Sequence, residues 1–254
     1  WSSTLSMNNY SFFYPSASLS FAFTDLIHIN PAVLSFGKLR ASLAAAGNDA
    51  NPYQTKSGYN LASTYFNGQP MATYGVRIPL LDLKNELTIS RELGMDLRFF
   101  QNRVGIDLTY YHSTTKNQII PIPVSRGSGY SSKMINAGEL SNQGIELLLN
   151  IAPIRNQKGF NWDITVNFSR NRSKVVSLVD GVASLSLLDH SYAGIEARPG
   201  EEYGNIVGFK YLRTADGRLL LNSLGRLQRT TTREILGNIQ PDFLSGISNV
   251  FSYK

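Results

Sequence analysis

Between Glu86 and Phe99 the chain alternates with a period of two over fourteen residues. Leu87, Ile89, Leu93, Met95, Leu97 and Phe99 share one parity with a single charge, Arg91. The other parity holds Glu86, Thr88, Ser90, Glu92, Gly94, Asp96 and Arg98. A helix would scatter both sets around its circumference, whereas a strand sends successive side chains to opposite faces. The segment therefore reads as a strand with one apolar and one polar face.

The same signal recurs along the chain. After a hairpin-length turn at Gln101–Arg103, the residues Val104, Ile106, Leu108 and Tyr110 oppose Gly105, Asp107 and Thr109. Ile145, Leu147, Leu149 and Ile151 alternate with Glu146 and Asn150, with Leu148 breaking the rule. Phe160, Trp162, Ile164, Val166 and Phe168 oppose Asn161, Asp163, Thr165, Asn167 and Ser169. Ala17, Leu19, Phe21 and Phe23 make an earlier strand, Leu39, Ala41 and Leu43 a weaker one, and Phe243–Tyr253 a last one. The connections alternate in length: moderate (24–35), long (47–84), short (100–103), long (116–141), short (153–159) and very long (174–242). No amphipathic helix of ten residues or more is evident, so the fold is all-β.

Composition narrows the surroundings of such a sheet. Only 17% of the residues are charged, against roughly 25% in ordinary chains, and Ser, Thr, Asn and Gln fill the gap. The absence of cysteine excludes disulfides, thiolate metal sites and a thiol nucleophile. The net charge of +6 is spread along the chain, so nucleic acid is not expected as a partner. No apolar run reaches the ~18 residues of a membrane helix; a membrane crossing would have to use strands. The start at Trp1, without initiator Met or signal segment, suggests a fragment or a processed product.

Strictly alternating short and long connections, with strands of roughly nine to fourteen residues, are the pattern of an antiparallel transmembrane β-barrel with short periplasmic turns and long extracellular loops. The apolar face would meet lipid, and Glu92, Asp96, Arg98, Asp107, Glu146 and Asp163 would line a wet lumen. Aromatic girdles are expected at both interfaces. Phe21, Phe23, Phe36, Phe99, Phe100, Phe160, Trp162, Phe251 and Tyr253 fall at the periplasmic strand ends, and Phe12, Phe13, Tyr14, Tyr110 and Tyr111 at the outer ends. Backbone groups in lipid need partners, so the sheet must close. About seven strands cannot close, since eight is the smallest bacterial barrel. The whole chain, 1–254, then reads as one part of a larger barrel domain.

Several stretches carry a resemblance. They are Leu39-Arg-Ala-Ser and Ala46-Gly-Asn-Asp-Ala-Asn-Pro-Tyr53, Leu87-Thr-Ile-Ser-Arg-Glu-Leu-Gly-Met-Asp-Leu-Arg-Phe-Phe100, and Asp107-Leu-Thr-Tyr-Tyr-His-Ser-Thr-Thr-Lys-Asn-Gln118. Met134-Ile-Asn-Ala-Gly-Glu-Leu-Ser-Asn-Gln-Gly-Ile-Glu-Leu147, Ile235-Leu-Gly-Asn-Ile-Gln-Pro-Asp-Phe243 and Asn249-Val-Phe-Ser-Tyr-Lys254 extend it. In family order, these resemble the SusC/RagA family of TonB-dependent outer-membrane transporters. The resemblance implies a later-middle part of a plugged barrel of about 22 strands, in the outer membrane of a Gram-negative bacterium of Bacteroidetes type. It implies import of large nutrients, glycans or oligopeptides, with a SusD-like lipoprotein as partner. The plug, the TonB box and the terminal strands are expected outside this stretch, so TonB would be engaged only through them. No cofactor and no enzymatic activity are implied.

Motifs for other chemistry are weak. His28, His112 and His190 are far apart, without zinc-ligand spacing. Glu201–Glu202 and the polar-face carboxylates could suggest glycoside hydrolysis, but a solvated lumen explains them. Asp216–Gly217 reads as a turn, since the rest of a calcium loop is missing. In the long loops, Tyr53, Tyr59, Tyr65, Phe66, Tyr74, Tyr130 and Tyr192 are candidates for contact with substrate or lipoprotein. The alternatives are a passive porin-like barrel segment and a soluble β-sandwich binding module.

Overall fold

The computed structural model describes residues 1–27, 29–56 and 58–253, with the backbone alone at Thr64. His28 therefore lies outside the described residues. In chain order the strands are β1 (Ser16–Ala22), β2 (Leu34–Asn48), β3 (Tyr59–Phe66), β4 (Gln69–Tyr74), β5 (Arg77–Ile78), β6 (Glu86–Phe99), β7 (Val104–Lys116) and β8 (Ile119–Pro123). They continue with β9 (Ser132–Asn136), β10 (Glu139–Ile154), β11 (Phe160–Ser177), β12 (Leu185–Asp189), β13 (Ala193–Ala197), β14 (Asn205–Gly208), β15 (Glu234–Asn238) and β16 (Leu244–Tyr253). Seven form one sheet in the order β1-β2-β6-β7-β10-β11-β16. It is an antiparallel meander: each of these strands pairs with the next one along the chain, as short turns and chain-adjacent pairing dictate.

The expected strands are all present; β2, β7, β10 and β11 are longer than the alternation indicated, up to 18 residues in β11, whereas β1, β6 and β16 are not, and Phe23 falls in a short 3-10 turn after β1. The reason is visible in β11 itself. Apolar alternation ends at Phe168, while strand structure continues through Arg170 to Ser177. Hydrophobic patterning marks the apolar band, and the ladder outlasts it.

The register of the last pair sets the faces. Phe160 pairs with Tyr253, Trp162 with Phe251, Ile164 with Asn249 and Val166 with Ile247. Directly paired residues share a face, so β16 continues the apolar face of β11. Among the described residues that face has no second layer. Leu93 is 62% exposed and Ile247 71%, where a sandwich would bury both against a facing sheet about 10 Å away. The β-sandwich alternative fails here. A row of uncovered Leu, Ile and Phe is unfavourable in water at roughly 25 cal/mol per Å² and is stable in hydrocarbon. β1 and β16 are the two edges of the sheet, so among the described residues it does not close on itself.

Packing divides the chain into two compact units. The first comprises residues 1–17, 42–91 and 113–139. Its long connections are built rather than irregular: β3 and β4 form a hairpin, and β5, β9 and β8 a three-stranded sheet. Leu5, Ala50 and Leu83 are buried together, with Phe12, Leu80 and Ile119 packed against them.

The second unit comprises residues 18–41, 92–112 and 140–254. Its turn at Phe100, Gln101 and Asn102 holds three successive residues at φ of 53°, 55° and 63°. The amide of Arg103 donates to the carbonyl of Phe99 at 3.0 Å, and that of Phe100 to Val33 at 3.2 Å. Within the 174–242 connection, β12-β13-β14-β15 make a four-stranded sheet. The stretch around Ile206 is thus strand β14. Beyond it the chain folds back on itself, with bridges Tyr211 to Arg229, Arg213 to Leu219 and Leu221 to Leu227. Asp216–Gly217 is the expected turn, with Gly217 at φ +87°.

Candidate functional site

The polar face of the second unit is organised around Arg40, which the alternation of β2 alone did not single out. Its Nη1 donates to Oδ2 of Asp107 at 3.0 Å, and its Nη2 to Oδ1 of Asp107 at 2.5 Å and Oγ1 of Thr109 at 2.6 Å. Arg40 lies on β2 and its partners on β7, with β6 between them. Strands stand ~4.8 Å apart, so the guanidinium must cross a whole strand. Gly94 makes room: a Cβ there would lie 2.2 Å from Nε of Arg40. A bidentate arginine–carboxylate pair fixes orientation as well as charge.

The predicted lumen residues distribute around this pair. Glu146 and Asp107 border, with Arg40 and Asn167, a groove of about 310 Å³. Asp96 pairs with Arg98 at 3.3 Å, and the Arg98 guanidinium lies 5.1 Å from the ring centroid of Phe36. Phe36 therefore shares the polar parity of β2 with Arg40 and does not belong to an apolar girdle as expected. Asp163 is exposed opposite Val250, and Glu92 is exposed on β6.

The aromatics of the apolar face fall in two groups. Phe160 and Trp162 both stack on Phe251, at 5.9 and 5.8 Å between centroids, and Nε1 of Trp162 donates to Oδ1 of Asn249 at 3.1 Å. Phe99 and Phe100 meet at 6.2 Å at the short turn. This cluster has the amphipathic make-up of an interfacial belt. Tyr110 differs from expectation: it is the seventh of thirteen residues in β7 and so central, not at the strand end. Tyr111 is not a girdle residue either. It faces Gly144 on the polar side, and its hydroxyl donates to Oδ1 of Asn171 at 3.1 Å.

The loop aromatics are brought together selectively. Tyr59 meets Tyr74 edge-on at 5.2 Å, and Tyr74 meets Tyr130 at 5.4 Å, so two long connections of the first unit share one aromatic cluster. The contact is reinforced by parallel pairing of Arg77 and Ile78 with Ser132 and Lys133. Tyr53 and Tyr59 line a cleft of about 800 Å³ between 51–60 and 75–79. Tyr65 and Phe66 sit exposed at the end of β3, and Tyr192 is exposed between β12 and β13 in the second unit. Gln54, Lys56 and Arg77 also line the cleft. No period or motif flags them, because the two walls of the cleft are brought together by the β3–β4 hairpin and not by the alternation of a strand.

Other chemistry is not assembled. His112 pairs with Oγ of Ser141 at 3.0 Å, and His190 lies in the second unit beside Asp189. Among the described residues no group of three His, Asp or Glu could hold a metal ion. Glu202 is tied to Arg172 at 2.5 Å, and Arg172 also reaches Asp242 at 3.2 Å. Asp189 is held below the usual carboxylate range by its hydrogen bond and charge contact with Arg233.

An uncovered apolar face, a charged polar face and long antiparallel strands define a segment of an outer-membrane-type β-barrel. The chain belongs to the TonB dependent receptor-like, beta-barrel family, whose model matches residues 1–231. TonB-dependent receptor P3 of Formosa agariphila is 29% identical over the whole of this chain, which spans 28% of that relative. TonB-dependent receptor SusC of Bacteroides thetaiotaomicron is 29% identical over 101 residues, 39% of this chain and 10% of that protein. The fold matches a solved structure of the RagAB peptide transporter with a TM-score of 0.80 at 20% identity, over 99% of this chain and 29% of that one. The chain thus spans little more than a quarter of the curated relatives it matches over its full length.

Proposed function

We propose that this chain is part of a TonB-dependent outer-membrane importer of large nutrients, glycans or oligopeptides, that works with a SusD-like surface lipoprotein. The observation that carries the reading is the two-faced sheet within a receptor-barrel family. One face is too apolar to stand in water, and the other is held polar by the Arg40–Asp107–Thr109 bridge. The first face would meet outer-membrane lipid, and the second the lumen, where Glu92, Asp96, Arg98, Asp107, Glu146 and Asp163 keep the passage wet. Phe99, Phe100, Phe160 and Trp162 would sit at the inner interface. The tyrosines of the long connections would meet substrate or lipoprotein. The fold shared with a structure described as the RagAB peptide transporter supports an importer. The role is passage, not catalysis.

Deletion of the gene in its host, with uptake and growth followed on polymeric glycans and oligopeptides, tests the reading. Loss of uptake of one polymer class, abolished equally by a proton uncoupler and by loss of TonB, is expected. A lipoprotein should be recovered with the transporter from solubilised outer membranes. Uptake indifferent to TonB and to the uncoupler would favour the passive porin-like alternative.

A further inference from the structure

We propose that the cleft between residues 51–60 and 75–79 binds an anionic polysaccharide, with sugar rings against Tyr53 and Tyr59 and sulfate or carboxylate groups on Lys56 and Arg77. This names the substrate class of the importer proposed above and rests on that reading for its biological direction.

Four features of the first unit converge on the cleft. Tyr53 is 85% exposed with φ of 66°. A left-handed backbone is uncommon and costly for a residue with a Cβ, and so exposed a ring recovers little by packing. Its position is explained by a ligand that covers it. Gln54 lines the same cleft, and its Oε1 is buried without a donor among the described residues. An unpaired buried acceptor is unfavourable by about 1–3 kcal/mol, and rotation of the Gln54 carboxamide toward the cleft would let a sugar hydroxyl pair with it.

The charge distribution is the third feature. Between Ala50 and Leu81 the only charged residues are Lys56 and Arg77, both cations, and both line the cleft. The neighbouring connection, Asn117–Gly138, carries Arg126 and Lys133 and no acid. The two segments are packed together through Tyr74–Tyr130 and through β5 against β9. None of the four cations has a salt bridge among the described residues. The acids that bound this region are Asp49 and Asp82, and Asp82 already accepts from Asn9 at 2.8 Å. Uncompensated cations around a concave site concentrate anions there.

The fourth feature separates glycan from peptide. The wall offers flat phenol rings and the amide side chains of Asn51, Gln54 and Asn60. Rings against sugar faces and amides against hydroxyls suit a polyhydroxylated chain. Among the described residues the cleft wall has no carboxylate to receive the amino or guanidinium groups that ordinary peptides bring.

The experiment uses the full-length transporter in detergent or nanodiscs, with binding followed by calorimetry. The probes are dextran sulfate and polygalacturonate oligomers, set against dextran and poly-glutamate of matched length. Both anionic glycans should bind, and more weakly as NaCl rises from about 50 to about 500 mM, because screening acts on exposed charges. The double variant Lys56→Gln with Arg77→Gln should lose about tenfold in affinity, as should Tyr53→Ala, each with an unchanged melting profile. Arg126→Gln, the loss of one charge outside the cleft wall, should change affinity less than about twofold. Dextran binding as tightly as its sulfate, poly-glutamate matching polygalacturonate, or an indifferent double variant would each overturn the proposal. Binding is read on purified protein without transport, so these results are distinct from a failure of TonB-dependent uptake.

Discussion

Gly144 on β10 is the position where the packing of the sheet leaves least room for change. A Cβ built there lies 2.5 Å from the carbonyl oxygen of Arg170 and 2.5 Å from Cζ and Oη of Tyr111. Ordinary contacts between such atoms are about 3.5 Å, so an alanine overlaps both neighbours by about 1 Å. Neither neighbour is free to give way. The carbonyl belongs to the β11 backbone, and Tyr111 is anchored through Asn171, whose Nδ2 donates on to Oε1 of Gln240 at 3.4 Å. Gly144→Ala should therefore fall in the upper half of the overpacking range, about 2–3 kcal/mol of destabilisation. Gly105 on β7 provides the comparison: its Cβ would meet only Cβ of Asn150, at 3.7 Å. Gly105→Ala should be neutral or stabilising by about 0.5–1 kcal/mol, through the reduced entropy of the unfolded chain. Reversible guanidinium unfolding of the full-length barrel in lipid vesicles measures both as midpoint shifts at constant slope. If Gly144→Ala unfolds at the wild-type midpoint, or Gly105→Ala is equally destabilising, the described packing of β7, β10 and β11 is wrong.

Three further outcomes are expected. Leu93→Arg should destabilise the barrel in vesicles by about 2–4 kcal/mol, whereas Ser90→Arg, on the opposite face of the same strand, should cost less than about 1 kcal/mol; equal effects would remove the distinction between the faces. Arg40→Gln leaves Asp107 without its bidentate partner. Because both side chains are about one-third exposed, the loss should be modest, about 0.5–1.5 kcal/mol, with Asp107→Asn recovering part of it in a double-mutant cycle. Asp189 is held low by Arg233. A depressed folded-state value means its contribution is present above roughly pH 4, the unfolded value, and is lost as pH falls through the folded one. Arg233→Gln should move the Asp189 titration, followed by carboxyl NMR, back up to the ordinary carboxylate range, and an unmoved titration would refute the pairing.

The parts legible in the sequence are those governed by local alternation. All seven strands of the main sheet were readable because lipid on one side and water on the other impose a residue-by-residue code, and the turn at 100–103 followed from its brevity. Strand ends were less legible. β10 and β11 extend into polar sequence, where backbone pairing persists without any hydrophobic contrast, which also explains why Tyr110 is central rather than terminal. The parity of Phe36 is hard to read because β2 alternates weakly around Ser35 and Gly37. Least legible were contacts made across strands or between loops. Arg40 finds Asp107 only because Gly94 lets it pass over β6, and Tyr74 meets Tyr130 where β5 pairs with β9. Those are tertiary events between segments some fifty residues apart, and no local period encodes them.

If Leu87, Ile89, Leu93, Met95, Leu97 and Phe99 face lipid while Thr88, Ser90, Glu92, Gly94 and Asp96 face water, the two parities of β6 differ in their surroundings. This stretch contributes no cysteine of its own, so single cysteines carrying nitroxide labels can be introduced along β6 in the full-length protein reconstituted in bilayers. Accessibility to oxygen should be high at the odd positions and accessibility to a water-soluble nickel complex high at the even ones, alternating from Leu87 to Leu97. Uniform exposure of both parities to the nickel complex would contradict the account.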